Sequence, residues 1–351
     1  MRSFHPCKNC EFGSINIDED RKLAGRRFGL KRDAYMLKVL LWAVGLVVAV
    51  LAGTYWWAGK DLKAMDADAR AEAPGKFLQV TDGQLHYQTR GPEEGNVIVM
   101  VHGFSTPGFI FEQNAEALIE SGFRVVQYDH FGRGWSDRPD GPYDDDFYDR
   151  ELMDLLDGLG LVEPVGLVGL SMGGPIVMAF AGRHPERVSR VFLFVPAGLD
   201  VDGDSGLSAA LVRLPVVGDW IWRVFGRGIL LSDPQYDESA LELNNRLQGD
   251  VTRQMEYRGY GKALLSTLRN FPMSNREILF SSVAQKTETP VMAVFGDEDQ
   301  TVGISSAAKL VALIPGADVR IIGGGTHGLN YQRHEEVNPM LVDWFSQAVA
   351  D

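Results

Sequence analysis

The sequence predicts an α/β fold: a mostly parallel central sheet with helices on both faces, a helical cap insertion, and one transmembrane helix ahead of it. Three observations predict it. Short apolar, β-rich runs alternate with stretches of helical period. One interval of about 90 residues, between Pro196 and Pro290, reads as helical and holds no strand. A 21-residue run, Val39 to Gly59, carries no charge.

From the N-terminus, residues 1–38 form a basic tail, with nine Lys or Arg against five Asp or Glu. Its balance of +4 within a total of −13 leaves −17 for the remainder. Such an acidic body repels phosphate backbones, and no basic stripe or zinc spacing offsets this, so nucleic acid is not an expected partner. Cys7 and Cys10 are the only cysteines. They form a C-x-x-C pair with only His5 beside it, short of the four ligands of a structural zinc, and they read as an inert tail pair. No metal site is expected.

The run 39–59 spans about 30 Å as a helix, the thickness of a hydrocarbon core. Tyr55, Trp56 and Trp57 cluster at its far end, and Arg21, Lys22, Arg26, Arg27, Lys31, Arg32 and Lys38 precede it. Aromatic rings at an interface and positive charge on the inner side predict an anchor with a cytoplasmic N-terminus and everything after residue 60 on the outer, periplasmic or exoplasmic, face. A buried core helix and a cleaved signal peptide are the alternatives. Residues 60–76 are Ala-rich and charged, ending near Pro74-Gly75, and read as a linker.

The core is expected over 77–199 and 287–351, with a cap over 200–286. Phe77 to Arg90 alternates on either side of Asp82-Gly83, the pattern of a β-hairpin. Strands follow at Asn96 to Val101, Arg124 to Tyr128, Val165 to Leu170, Val188 to Val195, Pro290 to Phe295 and Asp318 to Ile322. Between them, helices are expected at Glu112 to Glu120, Asp146 to Leu159, Pro175 to Arg183, Ser305 to Leu313 and Glu335 to Ala350. Strands covered on both faces read as continuous apolar runs, and right-handed crossovers make them parallel. The cap opens with Leu207 to Leu231, more apolar than covering an ordinary core requires.

Gly169-Leu170-Ser171-Met172-Gly173 joins a strand to a helix, the setting in which G-x-S-x-G forms a nucleophile elbow. Gly169 and Gly173 leave room where side chains would strike neighbouring backbone, and the helix N-terminus favours developing negative charge. A serine hydroxyl needs a base, and that base needs an orienting acid. After Ser171 only His184, His327 and His334 remain. His184 closes the elbow's own helix and His334 opens the last one, whereas His327 lies in GGGTHG after the final strand, where α/β sites are built. The acid is expected at the end of VMAVFG, where Asp297, Glu298 and Asp299 stand together. Backbone N–H groups of Met172 and Phe104 are the expected oxyanion donors. His102 precedes the serine and reads as a loop-holding residue, and Asp129, Arg133, Ser136 and Asp137 as structural.

The strings VHGF, YDHFGRGWSDRP, GLSMGG, GDEDQTV and GGGTHG, in this order, resemble the α/β-hydrolase superfamily over residues 77 to 351. The resemblance favours G-x-x-D and hence Asp299, with Asp297 in reserve, completing a Ser171, Asp299, His327 triad. The layout is similar to membrane-anchored monoacylglycerol lipases, though carbon–carbon bond hydrolases share many of these strings. The expected reaction is hydrolysis of a carboxylic ester, lipid-derived given the apolar cap and anchor, without metal or organic cofactor. The alternatives are a small-ester carboxylesterase, a carbon–carbon bond hydrolase of the same fold, and a ligand receptor without catalysis.

Overall fold

The computed structural model describes residues 17–231 and 241–347 and divides into two units, Met1–Trp57 and Ala58–Asp351. In the first unit one helix, α1 (Ile17–Trp57), takes in both the basic stretch and the apolar run. The sequence reading separated these at residue 39, but no proline lies between Pro6 and Pro74 to stop the helix. Its segment Tyr35–Trp57 is long and apolar enough to cross a membrane, with hydropathy 2.3. Cys7 and Cys10 lie outside the described residues.

The second unit opens on residues 58–75. Asp66 accepts the Ala69 N–H and caps a one-turn helix, α2 (Ala67–Arg70). Although its composition suggests a loose linker, this stretch is fastened to the body: Lys63 meets Glu256 at 2.8 Å and bridges to Tyr257, and Arg70 pairs with Asp137. The chain then folds as β1 (Lys76–Val80), β2 (Gly83–Arg90), β3 (Val97–Val101), α3 (Glu112–Glu120), β4 (Arg124–Tyr128), α4 (Asp145–Gly158), β5 (Val165–Leu170), α5 (Gly173–Arg183) and β6 (Val188–Phe194). Among the described residues five helices follow: α6 (Leu207–Arg213), α7 (Val217–Leu231), α8 (Leu241–Gln254), α9 (Tyr260–Asn270) and α10 (Glu277–Lys286). The last elements are β7 (Val291–Gly296), α11 (Ser305–Leu313), β8 (Asp318–Ile322), α12 (Leu329–Gln332) and α13 (His334–Ser346).

All eight strands join one sheet in the order β1-β2-β4-β3-β5-β6-β7-β8. Only β2 runs against its neighbours, since the hairpin at Asp82-Gly83 reverses the chain, whereas helical crossovers keep the other pairings parallel. Apolar side chains on one sheet face pack with Leu152, Ile176, Phe180 and Leu310, and those on the other with Leu118, Val337 and Leu341. Each fully buried side chain of this size stabilises by roughly 1.5–3 kcal/mol.

The chain leaves β3 for β4 on one side and β5 for β6 on the other, so the carboxyl ends of β3 and β5 flank a topological switch point. Ligands of open α/β sheets bind at such crevices. The interval 200–286, read as one cap, divides in two. Helices α6, α7 and α9 cluster around Trp222, Tyr260 and Leu264, while α10 packs Phe280 and Val283 into the main core beside α5. Phe280 and Val283 lie three residues apart on one helical face, and that period does not say which surface the face meets.

Candidate active site

Strand β5 ends at Leu170 and α5 begins at Gly173, leaving a two-residue turn for Ser171 and Met172. Ser171 adopts φ +52°, a left-handed conformation costing roughly 1–2 kcal/mol for a residue with a side chain. Its backbone is held on both sides: its N–H donates to Phe194 O at 3.0 Å, and its carbonyl accepts from Gly174 and Ala197 at 2.9 and 3.0 Å. A Cβ at Gly173 would sit 2.1 Å from Val101 O, and one at Gly169 2.7 Å from Gly173 O. Only glycine allows the helix to start this close to β3.

His327 arrives from the loop after β8. Its Nε2 lies 2.9 Å from Ser171 Oγ and its Nδ1 2.8 Å from Asp299 Oδ2. The other carboxylate oxygen of Asp299 accepts the N–H groups of Thr301 and Val302 at 2.8 and 2.9 Å. Asp299 has only acceptors to offer, so His327 carries its proton on Nδ1 and presents Nε2 as acceptor to the serine hydroxyl. Asp297 is occupied elsewhere: its carboxylate takes the Gly324 N–H at 2.6 Å and pins the loop that carries His327. His184 faces Asp149 at 3.2 Å, at the far end of α5.

His102 is fully buried and spends both ring nitrogens on the backbone: Nδ1 donates to Gly103 O at 2.9 Å, and Nε2 accepts the His130 N–H at 2.9 Å. Burial and the neighbouring His130 ring hold it well below the usual histidine range, so it stays neutral. Burial likewise pushes His130 down to about 3 and Glu151 up to about 8. The two side chains touch, and Glu151 also accepts the Phe131 N–H at 2.7 Å. Asp129 accepts from Gly108 and Trp135 N–H groups at 2.9 Å and pairs with His86. Ser136 donates to Asp129 O at 2.5 Å, and Asp137 accepts the Gln84 N–H at 2.8 Å. These groups order the β3 and β4 loops.

Arg133 does something the sequence did not show. Its guanidinium is fully buried, and among the described residues no carboxylate pairs with it. Instead it donates to Phe104 O at 3.0 Å, Phe131 O at 3.2 Å and Thr267 Oγ1 at 2.9 Å, and lies 5.6 Å from the Tyr143 ring centre. It thereby ties the Phe104 loop to cap helix α9. Among the described residues, no protein acceptor takes the N–H of Phe104 or Met172.

Above Ser171 and His327 lies a cavity of about 570 Å³, bordered by the ends of β3 and β5 and by α6, α7 and α9. Leu170, Val201, Val212, Trp222, Leu230 and Met273 give it apolar walls. Its charged lining residues are Asp202, Asp204 and Arg213 among the described residues. Arg213 is paired with Asp204 and also donates to Leu268 O at 2.9 Å.

Comparison with known proteins places the fold. A putative non-heme chloroperoxidase of Synechocystis sp. is 28% identical over 276 residues, covering 74% of this chain and 94% of its own. A 2-hydroxy-6-oxononadienedioate/2-hydroxy-6-oxononatrienedioate hydrolase of Paraburkholderia phymatum is 28% identical over 295 residues, covering 78% and 96%. Among solved structures, the carboxylesterase CesB of Bacillus subtilis superposes with a TM-score of 0.66 at 21% identity, covering 86% of this chain and 99% of its own, a likeness of fold. The model of the alpha/beta hydrolase fold matches residues 96–333, from the start of β3 through the loop that carries His327 to the end of α12, and the chain belongs to that family.

Proposed function

We propose that this hydrolase cleaves neutral carboxylic esters with apolar acyl chains, of monoacylglycerol or lysophospholipid type, while held on a membrane by α1. Ser171 Oγ attacks the ester carbonyl as His327 Nε2 takes its proton, and Asp299 stabilises the resulting imidazolium. The N–H groups of Phe104 and Met172 receive the oxyanion. Collapse expels the alcohol, protonated by His327, and leaves acyl-Ser171; water activated by the same imidazole then frees the acid. The scheme uses no metal or organic cofactor.

The observation that carries the ester reading is the charge of the cavity. Its walls are apolar, its only arginine is taken by Asp204, and Asp202 adds a further carboxylate among the described residues. A neutral acyl chain fits these walls, whereas a dicarboxylate would meet like charge and, among the described lining residues, no arginine or lysine besides the paired Arg213. A second reading, hydrolysis of a carbon–carbon bond, has support from the relatives named for that activity at 28% identity. The segment Tyr35–Trp57 and the basic residues before it support a cytoplasmic N-terminus and a catalytic unit on the outer face.

The test is acid release from p-nitrophenyl esters of rising chain length, monoacylglycerols in detergent micelles, and a 2-hydroxy-6-oxo-dienedioate. We expect long-chain esters to be preferred, the dienedioate to be refused, and Ser171→Ala to lose roughly 10⁴-fold or more. Turnover of the dienedioate in place of esters would move the carbon–carbon reading ahead.

A further inference from the structure

Cap helices α6 and α7 are apolar on two faces. Inward, Val212, Trp222 and Leu230 line the cavity above Ser171. Outward, Leu207 and Leu211 on α6, Leu214 and Val216 between the helices, and Val217 and Phe225 on α7 stand exposed. Ile229 belongs to both sets, lining the cavity yet 45% exposed, so the outer patch runs into the cavity's rim. Single exposed apolar residues are ordinary, but a contiguous patch on one helical hairpin marks an interaction surface.

Val216 sharpens the argument. It is 79% exposed and sits at φ +66°, where a β-branched side chain is strained and Gly or Asn is favoured. Asp219 accepts its N–H at 2.9 Å and so holds the turn, but the exposed side chain gains nothing from packing within the protein, so an apolar residue at this tip points to contact with something outside. Charge indicates what. Between Leu207 and Leu231 lie Arg213, Arg223 and Arg227 against Asp219, a net +2 in a chain of −13; of these, Arg213 is paired with Asp204 and Asp219 with Arg269. Two copies of this patch would set like charge against like charge, whereas a lipid surface takes apolar side chains among its acyl tails and the local arginines among its phosphates. The chain itself carries a segment able to cross a bilayer, ending one residue before this unit begins.

We infer that the α6–α7 hairpin docks onto the lipid bilayer, seating Leu214, Val216 and Phe225 among the acyl chains so that the cavity opens at Ile229 into lipid. The inference rests on the lipid-ester reading of the cavity and adds the surface through which substrate arrives.

The experiment uses the full chain, with Cys7 and Cys10 replaced by Ser, reconstituted in phosphatidylcholine vesicles with and without phosphatidylglycerol. An environment-sensitive fluorophore is attached through Val216→Cys, and in a control through Val162→Cys, at a residue 77% exposed outside the cap. The Val216 label is expected to shift to the blue and be quenched by spin-labelled lipid, more so with phosphatidylglycerol; the Val162 label is expected to stay in water. A Val216→Asn/Phe225→Gln variant, with Asn suited to the left-handed turn, is expected to keep turnover of a short soluble ester. It should lose roughly tenfold on a long-chain ester in vesicles. A Val216 label that lipid does not quench overturns the docking, whatever esters are cleaved. Cross-linking of two Val216→Cys copies without lipid quenching overturns it in favour of a second copy. A label buried in lipid on an enzyme that cleaves no long-chain ester supports docking and sinks the substrate reading instead.

Discussion

A guanidinium buried without a carboxylate is expensive unless each of its donors is used. Arg133 uses its donors on two loop carbonyls and a cap hydroxyl, and one of those carbonyls belongs to Phe104, whose N–H faces the reacting serine in the proposed scheme. Arg133→Met leaves two buried carbonyls, Phe104 O and Phe131 O, unpaired, while Thr267 Oγ1 keeps its contact with Tyr148 Oη at 2.8 Å. We expect a stability loss of roughly 2–4 kcal/mol in urea unfolding. We also expect a fall in kcat on a short ester larger than any change in KM, which steady-state kinetics on the folded fraction measures. Glu151 offers a pH signature. Its carboxyl is ordinarily near 4.5 and burial raises it to about 8, so the folded state holds the proton more tightly than the unfolded chain. The contribution of this group to stability is therefore greatest below about pH 4.5 and is lost as pH rises toward 8. Glu151→Gln keeps the shape of the neutral acid and removes the titration. Denaturation midpoints across that range should show the variant gaining on the parent as pH rises, by an amount on the order of a few kcal/mol. A variant that instead weakens at every pH would mean that Glu151 works as a carboxylate.

At the scale of elements, the elbow and the cap obey different rules. Helix α5 starts against β3 with no room for a Cβ at Gly173, so local sterics alone demand glycine there. The helices between β6 and β7 are all amphipathic or apolar, and their patterns do not distinguish a core helix from a cap helix. Phe280 of α10 is fully buried in the main core, whereas Trp222 of α7 lies between cap and cavity. Phe280→Ala is expected to cost roughly 3–5 kcal/mol and leave the chain-length preference of hydrolysis unchanged. Trp222→Ala should cost less stability and shift preference toward longer or bulkier acyl groups. Calorimetry paired with a p-nitrophenyl ester series separates the two, and equal effects would mean that cap and core unfold and bind as one.

For the whole molecule, the second unit carries the sheet, the core clusters on its two faces, the cap cluster and the cavity, and its first residues are fastened by Lys63 to Glu256 and Arg70 to Asp137. A chain beginning at Ala58 is expected to fold and to cleave a short soluble ester with kcat/KM within about twofold of the full protein. Aggregation or loss of that activity would show that α1 contributes to the fold. Much of this organisation was legible beforehand. Hydrophobic period is a local property, so the strands at 124–128, 165–170 and 318–322 and the helices at 112–120 and 305–313 could be read to the residue. The elbow was legible because its steric demand falls on adjacent residues, and the position of His327 because sites of this fold form where strands end; that rule left Asp297, Glu298 and Asp299 together, and only the family resemblance favoured Asp299. The sequence alone therefore determined the alternation of elements, the parallel sheet, the apolar segment and the neighbourhood of Ser171. Only the tertiary structure decided that Arg133 bridges Phe104 to the cap and that α10 belongs to the core. It alone showed that Asp204 cancels Arg213 and that the α6–α7 hairpin is apolar outside as well as within. Each of these depends on which surfaces meet across long stretches of chain, and a one-dimensional pattern records a face without recording what faces it.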